Sequence, residues 1–163
     1  MGIFPDSLYD SYILDQHKLP ELPYGKSTVN KDGCGFVAVY NVLKKLGKNP
    51  DLDDVYTWFH NCVSKGILKG TTLCQLYLGL KHFGLRVRCV RYSNFEKCNV
   101  GIIGYTTNAN TGHFIAYYRS GDPEKHVFLN SNVYGSTTFD KFKETRIKKL
   151  LRIPLFFALE ISD

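Results

Sequence analysis

The sequence has no Cys-x-x-Cys pair, and its five cysteines, Cys34, Cys62, Cys74, Cys89 and Cys98, make an odd set. That argues against a disulfide framework and against a zinc knuckle, and it fits reduced thiols in a reducing compartment. No apolar run approaches 18 residues, so no membrane span is expected. The opening stretch MGIFPDSLYDSYIL has neither a basic start nor an apolar core, so no secretory signal is read there and a cytoplasmic location is expected. Asp6 stands where a myristoylation signal wants Ser or Thr. Internal repeats and low-complexity segments are missing, and nothing in the composition suggests disorder, collagen or a coiled coil.

What is present suits a compact folded chain. Of 163 residues, 44% are hydrophobic, enough for a substantial core, and 11 Tyr and 11 Phe give that core an aromatic character. The formal net charge is +6. Part of it sits in KFKETRIKKLLR, residues 141 to 152, which reads as a solvated face, with a nucleic-acid or anionic-surface patch as the sharper alternative. No nucleic-acid-binding motif accompanies it, so no nucleic-acid partner is expected. Oligomeric state is not readable from the chain.

One domain is expected over residues 1–163, in three parts. Residues 1–29 hold Pro5, Pro20 and Pro23 and read as an extended lead segment with at most a short helix. Residues 30–84 read as a helical half. Phe36, Val39, Tyr40, Leu43 and Leu46 recur at helical spacing up to Gly47; a second helix starts under Asp51 or Asp53, and a third starts under Thr71 or Thr72 and closes at Gly84. Residues 85–163 read as an antiparallel sheet half, with strands at LRVRCVRY, VGIIGYT, HFIAYYR, HVFLN and LFFALEI and a short helix at TTFDKFKET. Helices first and sheet second point to an α+β architecture rather than alternating βαβ units.

Within NKDGCGFVAVYNVLKKLG, residues 30 to 47, Cys34 lies between Gly33 and Gly35 at the start of a helix. A helix N-terminus carries partial positive charge and unpaired N–H groups, which favour a thiolate and depress a thiol pKa. The flanking glycines read as giving access to the sulfur. On this reading Cys34 reacts with iodoacetamide faster than the other four cysteines. A nucleophilic thiolate needs a base and a group to orient that base. Of the five histidines, His60 and His82 fall inside helices, His17 lies in the lead segment, and His126 follows a turn and reads as exposed. His113 opens the strand HFIAYYR directly after TTNANTG, a position that can face a cleft. Asn130 follows 17 residues later (130 − 113), the span of a strand, a turn and a return strand. That hairpin brings Asn130 beside His113, where it can accept the ring N–H and fix the tautomer. Asn132 is the alternate.

Cys at a helix start, His opening a strand and Asn-Ser closing the next strand resemble the papain-like cysteine peptidase superfamily. CGFVA at 34 to 38 resembles its nucleophile segment, GHFIAYY at 112 to 118 its histidine strand, and FLNS at 128 to 131 its Asn-Ser ending. The Cys34-to-His113 separation of 79 residues (113 − 34) is shorter than the roughly 130 or more of papain-type enzymes. The layout is closer to the compact bacteriocin-leader-processing (double-glycine) peptidase domains of bacterial ABC exporters. Those relatives more often carry Asp in the third position, where this chain has Asn130. They also place a Gln about six residues before the nucleophile as an oxyanion donor; this chain has Thr28 there, and Asn30 is the nearest amide. Asn108 and Asn110 are further amides, in the loop before His113.

The resemblance implies a papain-like fold and a cysteine hydrolase acting on a peptide or protein through Cys34, His113 and Asn130, with no metal or organic cofactor. Asn30 would complete the oxyanion hole, with Thr28 as the alternate. Three alternatives stay open: a cell-wall amidase or endopeptidase using His126 as a second polar residue, an effector-type deamidase or acyltransferase, and a catalytically degenerate module that only binds peptide.

Overall fold

In the computed structural model, residues 2–90, 92–108, 111–131, 133, 135–146 and 157–162 are described. The lead segment is more structured than its prolines suggest. Single 3-10 turns at Asp6–Leu8 and Gln16–Lys18 are followed by a two-stranded ribbon, β1 (Pro23–Tyr24) and β2 (Ser27–Thr28). One helical turn, α1 (Val29–Asp32), then leads through Gly33 into α2 (Cys34–Lys45).

α2 is the central helix. The sequence places one apolar stripe on it, yet every residue from Cys34 to Leu43 is buried. The lead segment covers the side that would otherwise be wet. Asn41, at 0% exposure, is satisfied there, accepting from Ile13 N at 2.9 Å and donating to Ile13 O at 2.8 Å. α3 (Leu52–Ser64) starts under an Asp51 cap that accepts from the N–H groups of Asp53 and Asp54. α4 (Leu73–His82) starts under a Thr72–Gln75 capping box. Gly47 and Gly84 end helices α2 and α4 in the left-handed region, at φ +73° and +76°.

The sheet half contains β3 (Arg86–Val90), a 3-10 segment at Tyr92–Lys97, β4 (Val100–Asn108), β5 (Thr111–Arg119), β6 (His126–Leu129), β7 (Ser136–Thr137), α5 (Phe139–Arg146) and β8 (Phe157–Ser162). These strands form one antiparallel six-stranded sheet in the order β3-β8-β4-β5-β6-β7. The final strand is inserted between β3 and β4, so its pairing closes the sheet from the chain's far end. Strand alternation gives the sheet two apolar faces. Ile102, Ala116, Leu129 and Leu159 share a core with α2 and α3. Ile103, Ile115, Tyr117 and Phe128 share a second with Phe139 and Phe142 of α5. The Phe128 and Phe142 rings stack at 4.1 Å between centroids. No helix among the described residues is long and apolar enough to cross a membrane.

Candidate active site

Cys34 begins α2, with Gly33 as its N-cap, and the main-chain N–H groups of Gly35 and of Cys34 itself favour charge on the sulfur. A third N–H comes from Phe114 on β5, the residue after His113. The helix that begins at Cys34 packs against the strand that carries His113. The thiol is only 7% exposed, and burial pushes its pKa up to about 11. The three N–H groups oppose that rise, while the nearby Asp32 carboxylate adds to it. The expectation of a depressed thiol pKa is thus corrected. The helix terminus acts in the expected direction, but removing the thiolate from water costs more than the terminus returns.

The flanking glycines serve packing rather than access. A Cβ on Gly35 would lie 2.4 Å from Thr71 Cβ and Oγ1, and one on Gly33 would lie 2.4 Å from Val29 O. Thr71 is itself held by a 2.6 Å hydrogen bond with the Tyr24 hydroxyl. Only glycine lets α1, α2 and the segment before α4 converge on the nucleophile turn.

His113 Nε2 lies 2.8 Å from the main-chain carbonyl oxygen of Asn130. A carbonyl only accepts, so in the neutral ring the proton resides on Nε2 and the basic lone pair belongs to Nδ1. The ring also lies edge-on to Tyr105, with centroids 5.6 Å apart. Asn130 therefore meets His113 as the hairpin argument expects, but through its backbone. The β5–β6 ladder ends at Ala116↔Leu129, and Asn130 turns out of it at φ +61°, which aims its carbonyl at the ring.

The Asn130 side chain has a different partner. Its Oδ1 accepts from Gln16 N at 2.8 Å, and its Nδ2 donates to Gln16 Oε1 at 2.9 Å. Gln16 Nε2 donates in turn to Lys31 O at 3.0 Å, in the turn before Cys34. Gln16 is 2% exposed, so this amide pair is shielded from water. It joins the carbonyl that holds His113 to the helical turn that delivers Cys34. Sequence reasoning missed Gln16 because it sits 114 positions from Asn130 along the chain; the signal was an amide among the prolines of the lead segment.

Thr28 and Asn30 lie at the β2–α1 junction and bond to each other, with the Thr28 hydroxyl 2.6 Å from Asn30 Oδ1. That contact fixes the amide of Asn30 with its oxygen toward Thr28. Asn108 ends β4. Asn132 and Asn110 lie outside the described residues, as does the basic run from 147 to 152.

His126 is 1% exposed, contrary to the exposed position expected after its turn. Tyr117 and Phe128 flank its ring, and burial lowers its pKa. Its register partner is Arg119, six residues along β5 from His113, or about 20 Å. That distance removes it as a second polar residue for the Cys34 site. His60 and His82 rest against Tyr56 and Trp58, and His17 is exposed on the lead segment. Among the described residues, no cluster of three or more His, Cys, Asp or Glu could hold a metal ion.

The α+β fold is consistent with a papain-like architecture. Among solved structures, the chain is similar to the peptidase domain of Streptococcus ComA, a bi-functional ABC transporter involved in a quorum-sensing pathway. The TM-score is 0.55 at 15% identity, over 79% of this chain and 90% of that one. The shared feature is the fold. No family model and no curated protein matches the sequence.

Proposed function

We propose that the chain is a cysteine hydrolase that cleaves an amide bond in a peptide or protein. The observation that carries this reading is the packing of α2, which begins at Cys34, against β5, which carries His113 with its Nε2 held 2.8 Å from Asn130 O. It sets a thiol at the N-terminus of a buried helix beside the strand of a histidine whose basic nitrogen is Nδ1. The fold shared with a peptidase domain supports the same reading.

The raised thiol pKa makes general-base attack the fitting mechanism, rather than a resting thiolate–imidazolium pair. His113 Nδ1 takes the Sγ proton as the sulfur bonds to the substrate carbonyl carbon. The oxyanion that forms is stabilised by the Cys34 N–H and by the amide of Asn30, whose oxygen Thr28 already fixes. The C–N bond then breaks, Nδ1–H protonates the leaving amine, and a thioester remains. Water hydrolyses it, releasing the acid and restoring the thiol. Asn130 O keeps the Nε2 proton in place throughout, and Gln16 is a positioning residue behind it.

Incubation with a proteome-derived peptide library, read by mass spectrometry, tests the assignment. Wild type generates new termini, whereas Cys34→Ala and His113→Ala, both folded by circular dichroism, generate none. Asn30→Ala, which removes the second oxyanion donor, lowers kcat on the order of 100- to 1,000-fold. Cleavage by Cys34→Ala at the wild-type rate refutes the reading. Binding of library peptides without cleavage by any variant assigns the fold to a peptide-binding module instead.

A further inference from the structure

The segment between α3 and α4 carries a feature that the hydrolase reading does not use. Its tip, SKGILKG, presents Ile67 at 88% exposure and Leu68 at 63%. Leu73, Tyr77 and Leu78 continue the apolar surface along the outer side of α4 at 43%, 41% and 57%. Five of the seven exposed large apolar side chains among the described residues thus lie within twelve positions. Lone exposed apolar residues are ordinary, but a contiguous group is not.

Cations frame this group. Lys65 and Lys69 flank the tip, Lys81 follows Tyr77 by one helical turn, and Lys26 donates to Ile67 O at 3.4 Å. From residue 55 to residue 95 the sequence has no Asp or Glu at all. Asp32, half-buried, lies beside Gly70 at the end of this segment. The tip is also held in shape: Gly66 N donates to Val63 O, and Gln75 Nε2 bonds Cys62 O at 3.0 Å.

We propose that this tip and the outer side of α4 dock on an anionic lipid surface. Ile67 and Leu68 enter the headgroup–acyl boundary while Lys26, Lys65, Lys69 and Lys81 meet lipid phosphates. Lysine stems reach past apolar neighbours to do this, and cations near an anionic leaflet add to the apolar term. A protruding aliphatic pair inserts into a fluid surface without a matching pocket. The uncompensated positive charge selects an anionic bilayer over a neutral one. Thr71, at the end of this segment, touches the nucleophile turn, so docking holds the Cys34 site beside the membrane surface.

Sedimentation of the full chain with vesicles tests this independently of any activity. Equimolar phosphatidylglycerol–phosphatidylcholine vesicles should bind wild type at low salt, with binding falling as salt screens the lysines. Pure phosphatidylcholine vesicles should not. The double variant Ile67→Ser/Leu68→Ser and the double variant Lys65→Glu/Lys69→Glu should each weaken binding on the order of tenfold or more. In Leu68→Trp, the new indole should blue-shift on addition of the anionic vesicles. Equal binding of both vesicle types, unchanged binding by the serine variant, or no blue shift overturns the proposal. So does a wild-type dimer in light scattering that the serine variant loses, since that assigns the surface to a second copy of the chain.

Discussion

At the scale of single residues, burial inverts what the sequence says of Cys34. Cys74 and Cys89 are exposed, whereas Cys34 is buried with its pKa pushed up to about 11. We expect iodoacetamide at pH 8 to label Cys74 and Cys89 ahead of Cys34, read by peptide mapping, with the Cys34 rate still climbing between pH 9 and 11. This reverses the labelling order that a helix-terminal thiolate implies. Asn130 gives a second residue-scale prediction. Asn130→Ala removes two shielded hydrogen bonds and strands the Gln16 N–H and Oε1, costing about 2–4 kcal/mol in urea unfolding. His113 keeps its carbonyl partner but loses the tie to Gln16 that positions it, so kcat in any substrate assay should fall while its pH dependence keeps its shape. A side-chain role for Asn130 predicts the opposite pair of results, an altered profile with little loss of stability.

At the scale of elements, the sequence reads best where one local force acts. Asp51 and Thr72 cap their helices as their side-chain oxygens dictate, the strand at Arg86–Val90 follows its alternating pattern, and the later strands to Leu129 fall on the β-rich runs between turn residues. The site is less legible because its contacts cross the chain. Cys34, His113 and Asn130 announce themselves by residue type and neighbours, but the amide pair with Gln16 leaves no local pattern. Nor does local sequence reveal that β8 enters between β3 and β4, or that Asn130 works through a carbonyl. The glycines around Cys34 carry a prediction at this scale. Gly35→Ala forces a Cβ against Thr71 and should cost about 1–3 kcal/mol, while Gly121→Ala, with nothing within 4 Å, should be near neutral in the same melts.

For the whole molecule, the aromatic core and the buried thiols set the response to alkali. Burial raises the pKa of Cys34, Cys98, Tyr24, Tyr40 and Tyr117. The folded chain therefore holds protons that the unfolded chain releases. Where the unfolded chain binds fewer protons, the free energy of unfolding falls as pH rises. Stability should be intact below pH 9 and should decline through the window from 9.0 to about 11 set by Cys34, with the tyrosines extending it upward. The Cys34 part is on the order of 2 kcal/mol, and Cys34→Ala should flatten that part of the curve in urea titrations at stepped pH.

In the proposed mechanism a bound peptide meets Cys34 as a thiol, and His113 takes its proton as the sulfur attacks. A pool of peptidyl chloromethyl ketones tests it most directly, with modified cysteines mapped by mass spectrometry. Peptide recognition should steer the reagent to Cys34 ahead of exposed Cys74 and Cys89, and His113→Ala should abolish that preference. Modification of Cys74 and Cys89 with Cys34 left untouched, in wild type as in His113→Ala, would refute the proposed mechanism.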